Sequence, residues 1–215
     1  MNRRLSQASQ ASLDDESLLR AVRLLSRRDP DLGQVVRRFG APPMWQREAG
    51  FSTLLHIILE QQVSLASARA AHNKLLKAAS PLTPQRFLHL DDARLRAIGF
   101  SRQKTAYGRH LSQSIIEGQL DLDVLHSMSD DDVRSELIKI KGIGQWTADV
   151  YLLMVLRRPD IWPTGDLALA VAAQSVKRLK SRPSPQKLEQ LGRAWRPWRA
   201  VAARILWHHY LSELV

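Results

Sequence analysis

The stretch that most constrains this chain is residues 137–166, LIKIKGIGQWTADVYLLMVLRRPDIWPTGD. Its centre, Lys141-Gly142-Ile143-Gly144-Gln145-Trp146-Thr147, lies between two segments of helical character, so the backbone must reverse within a few residues. Glycine supplies the positive φ such a turn needs and lets a second backbone come close. The helix after Gly144 opens with amide N–H groups that have no carbonyl partner inside it, and these point outward. A phosphate oxygen suits them, because unpaired donors and helix dipole both favour an anion. Lys141 adds a full charge beside them. Lys141, Gly142, Gly144, Gln145 and Thr147 are therefore candidate contacts to a nucleic-acid backbone. A dinucleotide-binding GxGxxG does not fit, since position 147 is Thr and the preceding segment is an amphipathic helix rather than an apolar strand. The plainer reading is a tight turn between helices with no ligand.

Charge decides between those readings. The chain of 215 residues carries a formal net charge of +11, which points to a polyanionic partner. Residues 176–215 hold nine Lys or Arg against Glu189 and Glu213 only, so that end is expected to lie near the polyanion. With 44% hydrophobic residues the chain can bury a proper core as one domain or two lobes. The absence of cysteine excludes disulfides, thiolate-held clusters and Cys-type zinc sites. No apolar run is long enough to span a membrane and the Ser/Gln-rich start lacks a signal-peptide core, which suggests a cytoplasmic or nucleoid-associated protein. A monomer is expected.

The rest of the chain reads as helices. Residues 1–13 are polar and small and are expected to be flexible. Asp14 or Ser12 can cap a first helix with Leu18, Leu19, Val22 and Leu25 on one face, ending near Asp29-Pro30. A short helix over 32–39, a dense apolar helix over 51–62 and one capped by Ser64 follow. Thr83-Pro84, Asp91 and Ser101 open three more, and Ser129 with three aspartates opens the helix leading into the hairpin. Asp166 opens a helix to about 179, Pro183 and Pro185 break the chain, and helices over 188–195 and 198–214 close it. No strand alternation is present, so the fold class is all-α.

Asp166 is the pointed candidate for chemistry. It follows Pro163-Thr164-Gly165 at the start of a helix, where an N-cap is the ordinary role of an aspartate. A carboxylate held there also suits stabilising a developing cation rather than donating a proton. It comes one helix and one loop after the hairpin, so phosphate grip and carboxylate can be presented to the same side. The seven histidines, His208-His209 included, show no metal-ligand spacing, and helix neighbours point to different faces.

QQVS at 61–64, GIGQWTA at 142–148 and a Pro-containing loop with Asp166 at the next helix start together resemble the helix-hairpin-helix DNA glycosylase superfamily, specifically the bacterial 3-methyladenine DNA glycosylase II branch. The resemblance runs from about residue 43 to 211. It implies two helical lobes flanking a cleft within a single domain over 14–215, lobe one about 51–164 and lobe two about 14–50 with 165–215. The chain departs from the best-known branch member in that no N-terminal β domain is expected, since helical segments precede the shared core. It implies that Asp166 is the catalytic residue and that the protein flips alkylated bases such as 3-methyladenine out of double-stranded DNA and hydrolyses the N-glycosidic bond. Trp146 stands where bifunctional relatives carry a catalytic lysine, so Schiff-base chemistry is not expected.

The resemblance also supplies roles for other residues. Trp146 and Trp207 match pocket aromatics, with Tyr151 and Trp45 as weaker candidates, and aromatic faces suit an electron-poor base. Core filling is the ordinary alternative for each. Gln62 sits where relatives insert a side chain into the vacated stack, Ser64 follows in the same DNA-contacting loop, and Gln61 is expected to brace that loop. No cofactor is required, although the family's hairpin holds a structural Na+ or K+, here through backbone carbonyls of Ile138, Ile140 and Ile143. Two rival readings remain: a non-catalytic DNA-binding module, which needs neither Asp166 nor the tryptophans, and a bifunctional glycosylase and lyase, against which Trp146 argues.

Overall fold

A computed structural model describes residues 12–213. Among them are twelve α-helices, one short 3-10 turn at Leu125–Ser127 and no strand, as the all-α reading expects. The backbone falls into two compact units, Arg47–Tyr151 and the flanking segments Met1–Gln46 with Leu152–Val215.

The central unit holds α3 (Phe51–Glu60), α4 (Leu65–Ala78), α5 (Pro84–Leu88), α6 (Asp92–Ile98), α7 (Arg102–Ile116), α8 (Asp130–Ile138) and most of α9 (Gln145–Met154). Its core is built on α3, whose Leu54, Leu55, Ile57 and Ile58 are all fully buried. Leu75 of α4, Phe87 of α5, Leu95 of α6 and Leu111 of α7 close around them. Local chemistry starts the helices: Ser64, Thr83, Asp91, Ser101 and Ser129 each accept an N–H from the first turn.

The flanking unit holds α1 (Asp15–Arg28), α2 (Pro30–Phe39), α10 (Leu167–Val176), α11 (Pro185–Arg193) and α12 (Arg199–Glu213). Asp14 caps α1 through a reciprocal pair with Ser17. Its buried face is Leu18, Ala21, Val22 and Leu25, whereas Leu19 is 45% exposed and lies off the expected stripe. Asp29 ends α1 and also caps α2, which therefore starts two residues earlier than expected. Pro185 opens α11 at its first turn instead of breaking the chain, because Ser184 caps there.

Residues 1–11 of the segment expected to be flexible lie outside the described residues, but Ser12 and Leu13 do not fit that expectation. Ser12 donates its hydroxyl to the Leu156 carbonyl, and Leu13, 2% exposed, donates its N–H to Arg157 O at 2.8 Å.

Helix α12 forms the axis of this unit, with every residue from Ala200 to Trp207 buried. Arg204 is 0% exposed there. It finds no carboxylate but donates to Met44 O at 2.9 Å and Leu153 O at 2.8 Å, so three chain segments meet on one guanidinium. Burial pulls its pKa down to about 10. Trp162 and Trp195 pack edge to face, the first donating to Leu188 O and the second to Asp29 Oδ2. Both are core residues.

Candidate functional site

In the central unit the hairpin between α8 and α9 spans residues 139–144. Gly142 alone of its two glycines has a positive φ, +94°. A Cβ there would sit 2.2 Å from Tyr107, so the turn rests directly on that ring. Gly144 plays a different part from the expected one: nothing lies within 4 Å of where its Cβ would be, and its carbonyl accepts the Ala148 N–H at the start of α9. The missing side chain leaves open space outside the helix start, which a phosphate needs for close approach.

Three further contacts hold the hairpin, and each comes from outside the motif. The Lys141 N–H is donated to His110 Nδ1 at 3.2 Å, while the residue itself is exposed. Arg134 of α8 donates to Asp149 of α9 at 2.7 Å and to Asp131 at 2.8 Å, stapling the two helices. Burial opposes the charge on Arg134, but the bond to Asp149 and the nearby aspartates more than offset it and raise its pKa. Gln61 donates through Nε2 to Gly142 O at 2.8 Å and Thr147 Oγ1 at 2.9 Å, so it braces the loop as expected.

The expected DNA contacts therefore divide. Lys141, Gly144 and Gln145 are exposed, and Gln145 reaches along its helix to Asp149 at 3.3 Å. Thr147 is corrected: at 1% exposure it is an internal brace for Gln61 and offers no surface. Gln62 is exposed and holds φ 57°, a backbone state few side chains adopt without cause. Ser64 is exposed too, and its hydroxyl caps α4. Trp146 is half-buried in the first turn of α9. Tyr151 is 0% exposed, and burial pushes its pKa up to about 12. Its ring is enclosed, which removes it as an open stacking face.

The carboxylate lies in the flanking unit. Asp166 caps α10, and its Oδ1 accepts the Leu169 N–H at 2.7 Å and the Trp207 indole N–H at 3.0 Å. Trp207 is 8% exposed, so it fixes the carboxylate with one edge while most of its ring is packed. Sequence reading placed both residues but not the bond between them. Trp45 is half-buried at φ 47° and meets His208 edge to face at 6.2 Å. His208 and His209 face different partners, Phe39 O and Ser175 Oγ. Among the described residues no group of three or more His, Asp or Glu could hold a metal ion.

The basic C-terminal end is also corrected in part. Lys177 is committed to Asp29 and Asp31, Arg199 to Asp160, and Arg204 to carbonyls. Lys180, Arg182, Lys187, Arg193 and Arg196 are exposed and remain available to an anion. Among the described residues no helix is long and apolar enough to cross a membrane.

Residues 55–197 match the HhH-GPD superfamily of base excision DNA repair proteins, and the chain belongs to that superfamily. Among named relatives, the alkylbase DNA glycosidase-like protein mag2 of Schizosaccharomyces pombe is 27% identical over 200 residues, 90% of this chain and 94% of its own. YfjP of Bacillus subtilis is 28% identical over 184 residues, 82% of this chain, and this chain spans 64% of its length. The structure of S. pombe 3-methyladenine DNA glycosylase Mag1 in complex with abasic DNA is similar with a TM-score of 0.83 at 25% identity, covering 87% of this chain and 95% of that one.

Proposed function

We propose that the protein is a monofunctional DNA glycosylase that removes alkylated bases such as 3-methyladenine from duplex DNA. The observation that carries this is the Asp166 carboxylate, held at the start of α10 by the Leu169 N–H and the Trp207 indole. A non-catalytic DNA-binding protein would use Asp166 as a helix cap through Leu169, and that role does not call for the second donor from Trp207. The names of the S. pombe relatives support the same reading.

The chemistry asks little more of the chain. An alkylated base such as 3-methyladenine is cationic, so it leaves as a neutral molecule with the electron pair of the breaking C1′–N bond. The sugar becomes an oxocarbenium ion, and the Asp166 carboxylate stabilises that charge. Water adds its oxygen at C1′ and its proton passes to solvent. The hairpin grips phosphate through Lys141 and the start of α9, and Gln62 fills the gap left by the flipped base. Trp146 is the aromatic candidate for stacking the base, while Trp207, with most of its ring packed, serves by holding the carboxylate. An indole at position 146 cannot form a Schiff base.

A hairpin Na+ or K+ belongs to the same reading. Ile138 ends α8, where carbonyls lack partners within the helix, and Ile140 and Ile143 belong to the turn, so their backbone oxygens suit such an ion. When bound it would add positive charge beside the phosphate. The protein would act as a monomer in the cytoplasm, at the nucleoid.

The test is to incubate the protein with methylated duplex DNA and identify what is released. Free 3-methyladenine with intact abasic strands is expected. DNA binding without base release would favour the binding-module reading, and a borohydride-trapped adduct would favour a lyase.

A further inference from the structure

We propose that Gln61 is a positioning residue that couples the hairpin's hold on phosphate to insertion of Gln62, so that the two DNA contacts act as one. The proposal rests on the glycosylase reading above. Its ground is the fastening of the segment between α3 and α4. The Leu59 carbonyl accepts Lys104 Nζ at 2.6 Å, and Glu60 is held by Arg47 through two bonds of 3.0 and 2.7 Å. Gln61 follows, and its amide reaches across 81 and 86 residues of sequence to Gly142 O and Thr147 Oγ1.

Each of those acceptors matters for a different reason. Gly142 O belongs to the peptide that also contains the Ile143 N–H, and that N–H is donated to Ile140 O at 3.0 Å. Tilting this peptide when a phosphate seats therefore moves the acceptor that Gln61 holds. Thr147 lies in the first turn of α9, the helix start proposed to meet the phosphate. One primary amide has two N–H donors, so Gln61 can satisfy both oxygens at once. Gln62, the next residue, is in a left-handed backbone state at φ 57° with its side chain exposed. Its direction is set by the peptide that Gln61 anchors. Leu59 and Glu60 cannot absorb a shift, because both are tied to other helices or segments, so the displacement passes to Gln62.

A double-mutant cycle tests this. Affinity for duplex DNA containing a tetrahydrofuran abasic analogue is measured at fixed salt for Gln62→Ala, Lys141→Ala and both together. The losses should be non-additive by about tenfold, a usual size for coupling between linked sites. In a Gln61→Leu background they should become additive within about twofold. A purely structural Gln61 would weaken every protein alike and leave the coupling in place, which would overturn the proposal. If Gln61→Leu does not fold, Thr147→Val removes one acceptor at constant size, and coupling should drop but persist through Gly142. Unchanged coupling in that variant also overturns the proposal. A protein that binds the abasic analogue no better than undamaged duplex overturns the glycosylase reading as well, whereas additive losses in one that does discriminate overturn the coupling alone.

Discussion

The indole N–H of Trp207 points at Oδ1 of Asp166, 3.0 Å away and 41 residues upstream, sharing that oxygen with the Leu169 N–H at 2.7 Å. One donor is backbone at a helix start and the other comes from α12, the most deeply buried helix of its unit. The carboxylate is thus fixed from two directions, and a fixed charge needs no reorganisation when positive charge develops on a sugar.

That bond predicts the behaviour of Trp207→Phe. The ring and most of its packing remain, and only the donor is lost. A hydrogen bond to a charged group is worth about 1.5–3 kcal/mol, so single-turnover excision should slow by about ten- to a hundredfold. Melting should fall by a few degrees at most, because the lost bond also contributes to the folded state while Leu169 still pairs with Oδ1. A rate within twofold of the parent would show that the indole does not position the carboxylate.

The two hairpin glycines should respond differently to alanine. At Gly142 a Cβ would meet the Tyr107 ring at 2.2 Å and the backbone would sit at φ +94°. Overpacking costs about 1–3 kcal/mol, and the left-handed backbone adds about 1 kcal/mol or more. Gly142→Ala should therefore lower the melting temperature clearly. Gly144→Ala should melt like the parent, as its Cβ meets nothing, yet bind duplex more weakly because that Cβ stands where a phosphate would approach. Equal melting temperatures for the two variants would contradict the geometry.

What could be read ahead of the structure follows from range. Caps at Asp14, Ser64, Thr83, Asp91, Ser101, Ser129 and Asp166 were legible because an N-cap is chemistry within three residues. The α3 core was legible from its apolar density, and Gln61 as a brace from the resemblance of QQVS to the family's loop. Leu19 was misplaced because the apolar stripe of α1 also uses Ala21, which carries too little side chain to mark a face. Thr147 was misjudged because helix position does not say which side Gln61 will reach from. Tyr107 under Gly142, His110 at Lys141 and Arg204 on Met44 and Leu153 were missed. Each joins residues more than thirty positions apart in the chain through unremarkable residue types, and no local pattern marks them.

The central unit should lose stability in mild acid. His72 stacks on His56 at 4.2 Å, and burial first, with the facing His56 adding to it, pushes its pKa down to about 4. His56 is lowered as well, by burial, although Glu60 pulls the other way. Unfolded histidines titrate near about 6.5. Between that value and about 4, the unfolded chain binds protons that folded His72 refuses, so stability rises with pH across this window and falls as pH drops through it. Melting followed by circular dichroism from neutral pH to pH of about 4 should show the decline. His72→Gln, which keeps a partner for Ser52, should flatten it. Parallel curves for parent and variant would place the acid sensitivity elsewhere.

Asp166→Asn separates the two roles that one carboxylate holds. As an N-cap, asparagine is about as good as aspartate, and its carbonyl oxygen can still accept from Leu169 and Trp207, so the melting temperature should barely move. The charge is lost. A carboxylate about 4 Å from a developing oxocarbenium at an effective dielectric near 20 is worth up to about 4 kcal/mol, which is roughly a thousandfold in rate. Single-turnover release of 3-methyladenine should therefore collapse while affinity for duplex containing an abasic analogue changes little. Excision within a few-fold of the parent would leave Asp166 with its capping role alone. A large fall in melting temperature together with lost excision would mean that the carboxylate charge is needed to hold the start of α10 in place.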